Sequence, residues 1–395
     1  MKKLTSLLIC LMATITLWAN DGVYYTSGNQ LVPTKETNIT VKKEILTISI
    51  QDDGYATVDV YYEFYNPDSR SKTVTMGFEA APPYNDDDKF YANGVHPYIK
   101  NFTVEMNNQK LRYRNAVCEE GLPNGVTPVQ MDKWKFYDEA GNTLYQGDKD
   151  NPSKTLNFCY VYYFNATFKP GQNIVHHTYS YLMSQSVGTS YSVFYKLSPA
   201  MRWGNHQIDD FTLVIRAENT TKHFVIPQSQ LQGGKFSITP EKGKMRKLEG
   251  AYNKFFEFVL RNGQVKWQKK NLSMTPDQAG YYEELSIGAA DEYYVYGKGG
   301  SAKHYCGEYY DPACRTSMMG YEEEMQDKEF IEPRDKAFRK RVMKNIPYAY
   351  RGHIFKDAKL KAYFERMFWY MPDPSYKDDT SKFTETDWEC IKKGK

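Results

Sequence analysis

Leu46-Thr47-Ile48-Ser49-Ile50, then Asp52-Asp53-Gly54, then Ala56-Thr57-Val58-Asp59-Val60-Tyr61 decide how this chain folds. Apolar residues fall on every second position either side of a turn. That is the period of a half-buried strand, and the Asp-Asp-Gly between the two runs supplies turn chemistry, so the stretch predicts a β-hairpin. Similar units follow at 73–78, at 102–106 with a return at 111–113 across Asn107-Asn108, and at 158–168. Lys169-Pro170-Gly171-Gln172 then turns into 174–181. Further strands are predicted at 191–196, 211–215, 236–238 and 255–260. Many short strands separated by turn residues, with no long helical period, predict an antiparallel β-sandwich region of one or two sandwiches.

Outward from that region the chain changes character twice. Lys2 and Lys3 precede an apolar run from Leu4 to Trp18, and Ala19 follows, which is the layout of a secretory signal with cleavage after residue 19. The run is too short for a membrane span of about 20 apolar residues. Ile9 stands before Cys10 where a lipoprotein signal needs a small residue. The expected location is therefore outside the cytoplasm: periplasm, cell surface or extracellular. Residues 20–270 form the β-rich region and 271–332 a polar, acidic connector. Residues 333–395 form a helical module, giving a multidomain α+β chain overall.

Of the 51 basic residues two lie in the signal, which leaves 49 against 48 acidic ones. This near balance argues against nucleic acid as a partner. The charge is unevenly placed: 308–332 carries eight acidic and two basic residues, and 334–395 sixteen basic and nine acidic. Blocks of opposite sign can dock on each other, or the basic one can meet an acidic polymer such as a cell-wall glycan. The 34 Tyr suit sugar stacking, and equally suit half-buried sheets.

An oxidising compartment makes disulfides plausible. Cys306 and Cys314 could close a small loop, Cys118 and Cys159 could pair across the β-rich part, and Cys390 would be the odd thiol. Spacing alone leaves the connectivity open. His304 with Cys306 and Cys314 lacks the Cys-x-x-Cys spacing of a structural zinc site, and no metal or cofactor is expected. Neighbouring His176 and His177 point to opposite faces of a strand and cannot easily share a metal. Asn85-Asp86-Asp87-Asp88 lacks the ligand alternation of a calcium loop.

The helical module is read from spacing. Pro333 suits a first turn, and Phe338, Val342, Ile346 and Ala349 recur along one face. Pro347 should kink or end that helix, and Gly352 suits a left-handed exit. Asp357 can cap a second helix with Leu360, Tyr363, Phe364, Met367 and Phe368 on one face. Thr384 and Asp387 are spaced like a capping box for a third, with Trp388 and Ile391 to bury.

Tyr348-Ala349-Tyr350-Arg351-Gly352-His353, the Tyr363-Phe364 pair and Trp369-Tyr370 together resemble the YARHG domain, a small helical module of exported bacterial proteins. The likeness spans about 337–391. Where that motif has Arg-His this chain has Tyr350-Arg351, so no role resting on an imidazole there carries over. In the β-rich part, Asn20-Asp21-Gly22, Tyr61 to Asn66, and Tyr195-Lys196-Leu197-Ser198 with Trp203, Ile208, Phe211 and Leu213 resemble an uncharacterised family of exported bacterial proteins. That resemblance implies an exported β-domain and transfers no site residue.

No His-Glu-x-x-His, Gly-x-Ser-x-Gly, Walker loop or dinucleotide fingerprint occurs. Gly297-Lys298-Gly299-Gly300 lacks P-loop spacing. Carboxylate pairs that meet in space from distant positions stay invisible in a sequence. The residues left as ligand-binding candidates are Tyr348, Tyr350, Arg351, His353, Trp369 and Tyr370. The expectation is an exported envelope protein that binds or scaffolds, its partner a cell-wall or surface glycan or another envelope protein. An enzyme acting on envelope glycan or peptidoglycan, or a structural component of a surface complex, is the alternative.

Overall fold

The computed structural model describes residues 31–33, 37–80, 95–119, 158–186, 189–249, 254–290, 335–381, 383, 387–388, 391–392 and 394. The expected export signal, Asn85 to Asp88, the glycine cluster at 297–300, Cys306, Cys314 and Cys390 lie outside them. In chain order the strands are β1 (Leu31–Pro33), β2 (Thr40–Ile50), β3 (Tyr55–Asn66), β4 (Lys72–Ala80), β5 (Ile99–Met106), β6 (Gln109–Lys110), β7 (Arg114–Glu119) and β8 (Phe158–Phe168). They continue as β9 (Gly171–Leu182), β10 (Ser184–Ser186), β11 (Thr189–Tyr195), β12 (Ile208–Pro227), β13 (Lys235–Ile238), β14 (Gly243–Glu249), β15 (Lys254–Leu272) and β16 (Leu285–Ala289). Two helices follow, α1 (Lys336–Tyr350) and α2 (Ala358–Phe364).

The hairpin expected over 46–61 pairs β2 with β3, Leu46 opposite Val60 and Ile50 opposite Ala56. Its turn is held by the Asp53 carboxylate, which accepts from the Tyr55 amide at 3.0 Å, and by Gly54 at a φ of 83°. At Asn107-Asn108 both residues have positive φ, as a two-residue type I′ turn requires. The chain therefore returns at once in β6, earlier than the spacing suggested. A four-stranded sheet ordered β1-β4-β8-β7 lies against a twelve-stranded one ordered β10-β11-β16-β12-β2-β3-β9-β5-β6, with β13 and β14 joined to the latter through β15. Their inner faces meet through rings: Phe78 of β4 lies 4.6 Å from Tyr179 of β9, and Phe168 of β8 lies 5.5 Å from Phe64 of β3. The region is thus a β-sandwich as expected, antiparallel among the described strands but for one ladder, β2 with β12, which runs parallel. β16 pairs with β11 and β12 inside the larger sheet. The β-region therefore extends past the boundary drawn at residue 270.

β12 and β15 form the longest ladder, and its register slips between Ala217 and Thr221. Beyond that bulge the two faces differ. Phe224, Ile226, Phe256, Phe258 and Leu260 point into the sandwich core. Alternate positions Thr221, His223, Glu257, Val259 and Arg261, with Lys244 and Arg246 from β14, form the other face, as the strand period requires. That face is covered by the helical module, whose core cluster includes Val259.

Polar contacts hold this interface. Arg261 donates through Nη2 to the Tyr350 carbonyl at 3.1 Å and through Nη1 to the Met371 carbonyl. Lys244 donates to the Tyr370 carbonyl at 2.6 Å. Burial pushes both cations below their usual range, Lys244 further through the nearby Arg261 charge, while Asp373, Tyr350 and Tyr370 partly offset the effect on Arg261. Beside them the Arg246 guanidinium lies 4.3 Å from the Phe368 ring centre, and Glu257, fully buried, accepts from Arg246 and from His223 Nε2 at 2.6 Å. Burial alone would push the Glu257 carboxyl up. The His223 and Arg246 contacts outweigh it and hold the group below its ordinary value.

Arg261→Met keeps an aliphatic stem but withdraws the donors from two carbonyls at a covered interface. Each orphaned buried group costs about 1–3 kcal/mol, so urea unfolding of the full chain should show a loss of about 2–4 kcal/mol. A loss under about 0.5 kcal/mol, the size of a surface substitution, contradicts the interface described.

Candidate functional site

The Tyr-Ala-Tyr-Arg-Gly-His stretch is the C-terminal end of α1. Asp335 caps the other end, accepting from the amides of Ala337 and Phe338. Pro347 lies inside the last turn and the helix continues three residues past it, so the helix ends near the proline, as expected, though not at it. All four terminal carbonyls have partners. Arg351 Nη1 donates to Pro347 at 3.0 Å, and the amides of Arg351 and His353 donate to Tyr348 at 3.1 and 3.0 Å. The Gly352 amide donates to Ala349 at 2.9 Å, and Arg261 from the sheet reaches Tyr350. The pair of bonds from Gly352 and His353 is a Schellman motif, with Gly352 at a φ of 95°. A Cβ at Gly352 would also stand 2.5 Å from Arg261 Nη1, so glycine serves the turn and the interface together. Asp357 caps α2 through the Leu360 amide at 2.9 Å.

This geometry divides the six candidates. Tyr350, Trp369 and Tyr370 are buried. Trp369 packs 5.7 Å from Tyr350 and 6.0 Å from Phe364, and its indole Nε1 has no hydrogen-bond partner among the described residues. Tyr370 donates its hydroxyl to the His353 carbonyl at 2.7 Å while its own carbonyl accepts from Lys244. These three fill the module core and its contact with the sheet.

Tyr348, Arg351 and His353 stand together on the opposite, partly open side. Arg351 makes a two-pronged bond to Asp387, Nη1 to Oδ1 at 3.1 Å and Nη2 to Oδ2 at 2.6 Å, and its guanidinium lies 4.4 Å from the Phe383 ring centre. Asp387 is therefore the buried partner of an arginine, a role the capping-box spacing did not reveal. Phe383 sits 5.1 Å from Tyr348 and 5.5 Å from Trp388. Trp388, expected to be buried, is 49% exposed, whereas Ile391 is buried. His353 Nδ1 lies 2.8 Å from the Asp378 carboxylate, and its ring centre is 6.2 Å from that of Tyr376. The Tyr376 hydroxyl is covered and has no partner among the described residues. Burial and the Asp378 charge push that phenol up, and Arg351 pulls it partly back. The resulting surface offers aromatic rings of Tyr348, Phe383 and Trp388, a histidine whose Nε2 has no partner among the described residues, and an exposed carboxylate.

Elsewhere the described residues offer less chemistry. An open groove of about 1110 Å³ lies between residues 227–234 and β13 to β15, with Phe236, Phe255 and Phe256 in its wall. Among the described residues Glu283 is the one carboxylate in its lining, and it accepts from Ser229. His176 faces Asp59 at 3.1 Å on the outer surface, while His177 is fully buried between the sheets, its imidazole pushed down to about 3 by burial and by the His176 charge. The two do face opposite ways. No group of three or more potential ligands that could hold a metal occurs among the described residues. No helix among them is long and apolar enough to cross a membrane. Cys118 and Cys159 are directly opposite in the β7–β8 ladder.

Fold and surface together define a β-sandwich protein carrying a docked helical module with an aromatic outer patch. Residues 338–395 match the YARHG domain, which confirms the resemblance read from the motif and leaves the preceding part of the chain outside the match. Comparison with curated proteins finds no match. Among solved structures the chain is similar to a candidate nutrient-binding protein from Legionella pneumophila, at 17% identity over 95% of this chain and 100% of that one, with a TM-score of 0.48. An M1 zinc metallopeptidase from Deinococcus radiodurans aligns at 10% identity over 60% of this chain and 43% of its own, with a TM-score of 0.22. A candidate protease from Parabacteroides distasonis aligns at 7% over 63% and 40%, with a TM-score of 0.23. None of these likenesses gives a residue of this chain a role.

Arg351→Ala leaves the buried Asp387 without its two-pronged partner and should lower stability by about 2–4 kcal/mol. Arg351→Lys should recover little of it, because an ammonium cannot reproduce the planar fork. A double-mutant cycle with Asp387→Asn checks the pair in thermal unfolding. Coupling of about 1 kcal/mol or more is expected, and coupling near zero shows that the two do not act together.

Proposed function

We propose that this chain is an exported cell-envelope protein that binds rather than catalyses, and that its YARHG module contacts envelope glycan through the patch built on Tyr348, Phe383 and Trp388. The carrying observation is the exposure of Trp388 beside two further rings. An exposed indole gains nothing from the module core, and ring faces suit the apolar faces of sugars, while polar groups beside them fix orientation. His353 and Asp378 supply that polar border. Arg351 has a supporting role, since its guanidinium is already engaged by Pro347, Asp387 and the Phe383 ring.

The lysine-flanked apolar run at the start of the chain supports export, as does a module shared with exported proteins.

Retention of the full chain on purified peptidoglycan tests the proposal. Wild-type protein should be held at low salt, and Trp388→Ala and Tyr348→Ala should each weaken retention about three- to tenfold, the worth of one stacked ring. Either no retention of the wild type, or full retention of both variants, removes the assignment.

A further inference from the structure

We propose that Cys118 and Cys159 form a cross-strand disulfide that clasps β7 to β8, from their direct opposition in the antiparallel ladder. The register between these strands runs without a slip from Arg114 opposite Tyr163 to Glu119 opposite Phe158, with Cys118 opposite Cys159 one step before the end. Residues directly opposite in an antiparallel pair have Cα atoms about 4.5–5.5 Å apart. A disulfide spans Cα separations of about 4.4–6.8 Å, a range that includes the spacing of such a pair. Sequence spacing left the pairing of the cysteines open, and the ladder selects this one.

The position gives the bond a use. Among the described strands β7 is an edge of the four-stranded sheet and pairs with β8 alone. The stretch between the two cysteines is about 40 residues long, and a crosslink across a loop of that size removes considerable freedom from the unfolded chain. Formation needs a disulfide-bearing oxidant, either a protein or a small-molecule disulfide. One cysteine thiolate attacks a sulfur of that oxidant and releases its first thiol. The other cysteine thiolate then attacks the mixed disulfide and releases the second. Two cysteine thiols thus lose two protons and two electrons, and the oxidant gains them as two thiols. The bond requires an oxidising compartment and so shares the premise of export, but it does not depend on glycan binding.

The test uses the full chain, exposed to oxidised glutathione, digested without reduction and weighed by mass spectrometry. The expected product joins the Cys118 and Cys159 peptides at two hydrogens less than their sum. Dithiothreitol should lower the melting temperature of this protein by several degrees and leave that of Cys118→Ser unchanged. Labelling of both cysteines by iodoacetamide in the folded, glutathione-treated chain overturns the proposal, and so does linkage of either one to Cys306, Cys314 or Cys390. Peptidoglycan retention by the glutathione-treated protein, read beside the crosslink, separates the outcomes: retention without the crosslink defeats the disulfide alone, and the crosslink without retention defeats the glycan assignment alone.

Discussion

Two partly buried cations, Lys244 and Arg261, make the contacts on which the arrangement of this protein depends. Burial weakens the hold of each on its proton. A buried cation is tolerable only where acceptors surround it. The acceptors are main-chain carbonyls of Tyr350, Tyr370 and Met371, which belong to a helix end and a turn and would themselves be orphaned without donors. Each side solves the other's desolvation problem. This is why the module sits on the sheet at this place and in this orientation.

The same interface sets what the YARHG-like motif can do. Its Tyr350 and Gly352 are committed to the sheet, one through its carbonyl and the other by leaving room for Arg261. Arg351 is committed inward to Asp387 and the Pro347 carbonyl. The parts that remain open to a partner are those on the far side: Tyr348, the His353 ring, and Trp388 with Phe383, which lie beyond the motif proper. Binding at that patch would therefore be presented by a module fixed to the sandwich rather than by one swinging on a tether.

Much of this was legible where sequence pattern and final environment agree. The 46–61 hairpin shows in alternation and turn residues because one face of each strand meets the core. Gly352 and Asp357 show because left-handed exits and caps have residue-specific chemistry. β14 was missed for a physical reason: Lys244 and Arg246 alternate as they would on a solvent-facing edge, and nothing local reveals that they are covered by a module whose first helix begins only at Lys336. Trp388 misled in the opposite sense, since an apolar ring at a helical position is usually a core residue, and here Asp387 takes the inward place through Arg351. Of the six ligand candidates, spacing could not separate Tyr350, Trp369 and Tyr370 from Tyr348, Arg351 and His353. That division is made by the sheet the module rests on.

Native-state hydrogen exchange of the full chain measures this dependence most directly. If the sheet holds the module through its carbonyls, amides of Gly352, His353 and Asp373 should be protected to a depth comparable with those of β12 and β15, because they open only when the interface opens. Rapid exchange at those three positions while the strands stay protected would show an undocked module and contradict the account.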